Sequence, residues 1–224
     1  MREVQIAIMA KAPQAGFAKT RLIPDIGARA AARLQRQLTL HTIEVAQQAK
    51  VGAVTVWCAP DTQHRFFRSL QEHCQITLRT QVGANLGERM LNVFEQQCAQ
   101  GPLLMVGTDC PGLTTGHFQT AAQCLTAGDD AVFFPAEDGG YVLIGLHKPY
   151  PQVFEGIAWS SDQVMAQTRE RLRYLSFRWQ EPITLWDVDR VEDLHRLLAA
   201  CRTCHWVINL RALEPKLATT RVPL

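Results

Sequence analysis

A chain of 224 residues, 47% hydrophobic and 20% charged, has ordinary globular composition and is long enough to bury one sizeable core. Its formal charge of +2 argues against a general nucleic-acid binder, which normally shows a basic stripe or a far larger excess. No apolar run reaches the length of a bilayer span, and residues 6–10 are too short for a signal core, so a soluble cytoplasmic protein with no membrane partner is expected.

Residues 4–10 are a short apolar run ahead of a Gly/Pro loop, which predicts a buried strand. The loop passes through Pro13, Gly16 and Pro24. Residues 27–50 then place Ala31, Leu34, Leu38, Ile43 and Val45 at helical spacing in an Ala/Gln-rich stretch, predicting a long helix. A β-branched strand over 53–59 closes at Pro60-Asp61, and a helix over 63–72 with a strand over 76–80 completes the next unit. A helix over 86–100, a strand over 103–107 and a helix over 115–127 follow. Strands over 131–135 and 141–146 flank Glu137-Asp138-Gly139-Gly140, a hairpin signal that would place one antiparallel element in the sheet. A helix over 160–173, a strand over 183–186 and a helix over 191–200 complete a single domain at 1–200. Residues 201–224 lack periodicity and read as a tail or arm. Alternating strands and helices predict an α/β fold whose mostly parallel sheet is covered on both faces.

The seven cysteines are an odd number, and five are scattered without ligand-like spacing, which suits small buried hydrophobes in a reducing compartment. Cys201-Arg202-Thr203-Cys204-His205 matches the c-type haem attachment pattern. That attachment occurs outside the cytosol, so no haem is expected.

Ligands of parallel α/β sheets sit at the carboxyl ends of strands, and three unusual loops follow predicted strands. In Lys11-Ala12-Pro13-Gln14-Ala15-Gly16-Phe17-Ala18-Lys19-Thr20-Arg21-Leu22, the glycine allows close backbone approach and three cations can neutralise a polyphosphate. The Walker spacing is absent, and a solvated basic loop explains the same residues. Asp109, in Thr108-Asp109-Cys110-Pro111, stands where it could hold a hard cation or cap the next helix. Asp187 and Asp189 project to one side of an extended segment and could share a metal, although Glu192 and Asp193 make helix-capping acidity an alternative. Gln81 and Leu86-Gly87-Glu88-Arg89-Met90 could read a base or sugar, or simply start a helix. Asp138 belongs to the hairpin signal.

In that order, Lys11-x-Pro13-x-x-Gly16-x-x-Lys19-Thr20-Arg21-Leu22, Leu86-Gly87-Glu88-Arg89-Met90, Thr108-Asp109-Cys110-Pro111, Asp138-Gly139-Gly140-Tyr141 and Asp187-Val188-Asp189, with Trp159-Ser160 between the last two, resemble a bacterial family. It is the radical-SAM/selenodomain-associated transferase 1 family, usually labelled glycosyltransferase, in the nucleotide-diphospho-sugar transferase superfamily. The resemblance covers about residues 4 to 200. It implies a three-layer α/β/α, Rossmann-like fold of glycosyltransferase-A type. It also implies kinship with the guanylyltransferases of the molybdenum-cofactor and deazaflavin-cofactor (phospholactate) pathways. Carried over by motif, Gly16, Lys19 and Arg21, joined by Lys11, bind phosphate; Gln81, Gly87 and Arg89, by their place after the third strand, are expected to complete the nucleotide site. Asp109, Asp187 and Asp189 hold Mg2+ or Mn2+, while Asp138 is the candidate base for a hydroxyl acceptor. The partners implied are an NTP or sugar nucleotide and an unidentified small-molecule acceptor. The single carboxylate of Thr108-Asp109-Cys110 differs from the Asp-x-Asp of sugar-donor enzymes, so nucleotidyl and glycosyl transfer both stay open. A non-catalytic nucleotide- or sugar-phosphate-binding protein is the alternative. The apolar Trp206-Val207-Ile208 fits either the chain's own core or an oligomer contact.

Overall fold

The computed structural model describes residues 3–200. Among them, the strands are β1 (Gln5–Lys11), β2 (Val54–Ala59), β3 (Thr77–Thr80), β4 (Leu103–Val106), β5 (Ala131–Pro135), β6 (Tyr141–Leu146) and β7 (Trp179–Gln180). The α-helices are α1 (Ile23–Ile26), α2 (Ala28–Ala49), α3 (Arg65–His73), α4 (Leu86–Gln97), α5 (Thr115–Thr126), α6 (Pro151–Phe154), α7 (Val164–Tyr174) and α8 (Val191–Ala200). The Cys201–Cys204–His205 pattern, Trp206-Val207-Ile208 and the expected tail lie outside the described residues.

The strands form one sheet in the order β3-β2-β1-β4-β6-β5-β7. Only β6 runs against the others, pairing antiparallel with both β4 and β5. The hairpin signal is the cause. Gly139 takes φ +90 at the turn, where its amide donates to the Ala136 carbonyl at 3.1 Å. A Cβ there would stand 2.1 Å from the Asp162 carbonyl oxygen, so the close approach of that segment also requires glycine. β6 therefore folds back between β4 and β5, and its first residue lies on the same rim as the carboxyl ends of the parallel strands.

Alternation along β1 divides the core. Ile6, Ile8 and Ala10 pack with residues of α2, α3 and α5, whereas Ala7 and Met9 pack with residues of α4, α6 and α7. This is the expected three-layer α/β/α arrangement. A third cluster joins Leu22, Ile26 of α1, Leu34 and Leu38 of α2, and Leu194 and Leu197 of α8 around fully buried Val188. Val188 is thus an apolar peg that fixes the loop carrying Asp187 and Asp189.

Three expectations need correction. Residues 183–186 are not a strand. The final strand is Trp179–Gln180, and the later segment touches the sheet through a single bridge between Ala136 and Leu185. Pro182 supplies no donor for a ladder, while the Leu185 amide donates to the Pro135 carbonyl and its carbonyl accepts from Glu137. The helix expected at 160–173 starts at Val164, because Ser160 has φ +67 and Ser161 Oγ accepts from the Gln163 amide. The helix expected through residue 100 ends at Gln97 and tightens to a 3-10 turn over Cys98–Gln100. Helix α1 carries Pro24 in its first turn, where the missing N–H has no intrahelical partner to lose.

Of the five cysteines in the described residues, all are free; Cys58, Cys98 and Cys110 are buried. Burial pushes these three thiols up to about 12, which makes them inert core residues at neutral pH. No helix among the described residues is long and apolar enough to cross a membrane.

Candidate active site

The loop after β1 leaves the rim at exposed Lys11 and turns at Gly16, which has φ +87 and open space where a Cβ would stand. The amides of Phe17 and Ala18 both donate to the Gln14 carbonyl, closing the turn. Lys19 follows in the left-handed region with φ 49. That unusual backbone sends its side chain inward, so the ammonium is only 3% exposed. It lies 2.8 Å from Asp109 Oδ1 and donates to the Val188 carbonyl.

Asp109 follows β4, and its backbone carbonyl accepts from the Val188 amide at 2.9 Å. The capping alternative for Asp109 does not apply. Helix α5 is capped by Thr114, in a reciprocal box with His117. Thr108 is buried, and its hydroxyl accepts from Gln35 of α2 at 2.9 Å. The Asp109 turn is therefore held from below by α2 and from the side by the Val188 backbone.

Asp187 joins this group. Its carboxyl is pushed up to about 6, first by burial, then by repulsion from Asp138 and Asp109; Lys19 acts in the opposite direction. Three carboxylates and one buried ammonium thus form a single electrostatic unit. Asp138 Oδ1 also accepts from the Gly140 amide at 2.9 Å, so this residue shapes the hairpin turn while facing the cluster.

Asp189 is placed differently. Its carboxylate is ion-paired with Arg21, and its amide donates to Asp193 Oδ2 at 3.0 Å. Asp193 also accepts from the Arg190 amide, so the capping role suggested by the acidic run falls to Asp193. Arg21, Asp25, Arg190, Val191 and Glu192 line an open cavity of about 390 Å³ beside that pair. Among the described residues, no group of three or more His, Cys, Asp or Glu side chains is arranged to hold a metal.

The remaining candidates lie after β3. The Gln81 side chain donates to the carbonyls of Trp57 at 2.8 Å and Ala10 at 3.3 Å, tying β2 to β1 at the rim. Arg89 Nε donates to the Gly83 carbonyl at 3.0 Å. Helix initiation here belongs to Asn85, which accepts from the Glu88 amide, with Glu88 returning to Ala84 and Asn85. Gly87 has another reason to be glycine. A Cβ would stand 2.5–2.7 Å from Nε1, Cε2 and Cζ2 of Trp159, so two motifs distant in sequence meet face to face.

Gly87→Ala should therefore destabilise the protein by about 1–3 kcal/mol through overpacking. The better helix propensity of alanine offsets at most about 1 kcal/mol of this. Urea unfolding measures the net change, and a midpoint equal to or above that of the parent would show that the indole moves aside without cost.

Sequence reasoning missed the Val188 carbonyl, because backbone acceptors leave no residue signature. It also missed Arg196, which forks onto Glu137 at 2.6 and 3.0 Å and lies over the Trp186 ring at 4.3 Å.

The chain is similar in sequence or fold to several known proteins. The family model described as "Uncharacterized protein conserved in bacteria (DUF2064)" matches residues 42–161, a span that contains Gly87, Asp109 and Asp138. A protein from Desulfovibrio desulfuricans G20 assigned as a nucleotide-diphospho-sugar transferase is similar over 100% of both chains, with 26% identity and a TM-score of 0.88. A CMP:2-keto-3-deoxy-manno-octonic acid synthetase complexed with CTP shares the fold over 89% of this chain and 98% of its own, at 14% identity and TM-score 0.59. A 4-diphosphocytidyl-2C-methyl-D-erythritol synthase from Anaerococcus prevotii DSM 20548 does so over 90% and 96%, at 12% identity and TM-score 0.58. No curated protein matches the chain.

Proposed function

The chain belongs to the DUF2064 family, and we propose that it is a cytoplasmic, metal-dependent transferase acting on a nucleotide-activated donor. The observation that carries this reading is the Lys19–Asp109–Asp187–Asp138 unit on the rim where sheets of this kind bind ligands. Its kinship with the radical-SAM/selenodomain-associated group is part of the same proposal.

The donor set fits a hard cation. Asp109 and Asp187 offer carboxylate oxygens, and the carboxyl of Asp187, raised first by burial and then by repulsion from Asp138 and Asp109, is one that a nearby cation would help to ionise. The lack of a three-residue cage is compatible with Mg2+ or Mn2+, since Mg2+ commonly takes one or two carboxylates and fills its shell with substrate phosphates and water. When bound, the cation supplies neutralisation of charge developing on the leaving phosphate oxygens.

The chain's own groups do the rest. Lys11, the open Gly16 turn and Arg21 receive phosphate oxygens, while buried Lys19, paired with Asp109, balances the charge of the carboxylates beneath them. Asp189 holds Arg21 ready. Val82 and Leu86, exposed by 56% and 46%, stand beside Gln81, Gly87 and Arg89 where a base or sugar can lie. A phosphate or carboxylate acceptor needs no base; a hydroxyl acceptor passes its proton to exposed Asp138 as it attacks.

Thermal-shift binding against NTPs and sugar nucleotides, with Mg2+, with Mn2+ and with EDTA, tests the proposal. A ligand at 100 times its Kd adds about 2.7 kcal/mol of stability. The expected shift requires metal. Pyrophosphate release then identifies nucleotidyl transfer, and nucleoside diphosphate release identifies glycosyl transfer. A shift with no product from any acceptor would leave a binding protein, and no shift with any nucleotide would remove the proposal.

A further inference from the structure

The geometry points to Arg196 of α8 as a positioning residue that sets the spacing of Asp138 and Asp187. This inference rests on the proposed function for its meaning, but not for its test. Asp138 and Asp187 arrive on separate segments, the β5–β6 turn and the loop before α8. The immediate neighbour of each is gripped by one guanidinium. Arg196 Nη1 and Nη2 donate to the two oxygens of Glu137 at 2.6 and 3.0 Å, and the same group stacks 4.3 Å over the ring of Trp186. A forked, planar guanidinium can do both at once, whereas a lysine ammonium cannot.

The backbone shows why the grip matters. The two segments share two backbone bonds, Leu185 amide to Pro135 and Glu137 amide to Leu185, which together make the Ala136–Leu185 bridge. Beyond Leu185 and Glu137, no further backbone bond joins the two segments among the described residues. The carboxylates therefore lie just past the last backbone tie, where the Glu137–Arg196–Trp186 contact is what joins the segments. Trp186 also abuts Gly112, whose Cβ position is 3.8 Å from the indole nitrogen, so the clamp reaches the turn carrying Asp109. Arg196 touches no acid of the cluster itself and acts through Glu137 and Trp186.

Arg178→Ala is the matched control. Arg178 pairs with Asp129 at 2.9 Å and with the Gly128 carbonyl, at the amino end of β5 and so at the opposite rim. Hydrogen–deuterium exchange would be compared in the unliganded parent, R196A, R196K and R178A. R196A and R196K should exchange about five- to tenfold faster in peptides covering residues 136–140 and 185–188, with R178A unchanged there. In the presence of Mn2+, R196A should also weaken nucleotide binding several-fold, leaving binding in EDTA at the parental level. Parental exchange in both segments of R196A, or equal acceleration in R178A, would overturn the inference. If exchange responds as expected while the parent binds no Mn2+-nucleotide, positioning by Arg196 stands and the transferase reading falls.

Discussion

Replacing Lys19 with methionine should cost the ligand-free protein about 2–4 kcal/mol and reduce any transferase turnover by 100-fold or more, to order of magnitude. The ammonium is 3% exposed and Asp109 is 47% exposed, so one partner is dry and the other half wet. Removing one member of a fully buried pair costs about 3–5 kcal/mol, and solvent access to Asp109 brings the figure down. The change also leaves the Val188 carbonyl without the Lys19 donor and removes the nearby positive charge that opposes the raised carboxyl of Asp187. For a chain of this size the melting temperature should fall by about 4–16 °C. The same variant should gain affinity for Mn2+ in the absence of nucleotide, because the carboxylates have lost their internal cation. Added Mn2+ should then restore part of the lost stability. Calorimetry of the parent, K19M and K19M/D109N checks the coupling. Removing Asp109 as well should recover part of the loss, and strictly additive effects would show that the pair contributes nothing.

This prediction depends on something the sequence could not display. The basic loop reads as a set of phosphate ligands pointing outward, because a lone Lys among Gly, Ala and Thr carries no sign of direction. Direction is set by the left-handed backbone at Lys19 and by the buried Val188 peg, both products of tertiary packing. The regular elements were more legible. Apolar periodicity located α2 nearly to the residue, and Asp-Gly-Gly signalled the hairpin that reverses β6. Residues 183–186 were harder, since Ile183, Leu185 and Trp186 mimic a strand while their backbone makes only one bridge. The same limit governs the acids. Spacing groups Asp187 with Asp189, yet the fold places Asp187 with Asp109 and Asp138 and gives Asp189 to Arg21. Side-by-side position on an extended segment does not reveal which partner each carboxylate meets across the rim.

Asp187→Asn should have the opposite sign. Its folded carboxyl titrates at about 6 against an ordinary value of 3.8, so ionising it costs more in the folded protein than in the unfolded chain. The group imposes no penalty below pH about 4, an increasing one as pH rises through about 6, and a constant one above. Two pH units correspond to about 3 kcal/mol, the upper limit of what the uncharged amide can recover at pH 7–8. The variant should therefore melt up to about 6–12 °C higher than the parent at pH 8, and the two curves should converge near pH 4. Metal-dependent nucleotide binding should be lost in the same variant. A gain in stability joined to a loss of binding is expected where a carboxylate is kept charged for a ligand. Because Asp187→Asn relieves charge that Lys19→Met exposes, the two single changes should move the melting temperature in opposite directions. Their combination should fall between them. Parallel pH profiles for the parent and Asp187→Asn would mean that neither burial nor repulsion from Asp138 and Asp109 penalises the Asp187 charge in the fold, and the case for an electrostatic unit around Lys19 would go with it.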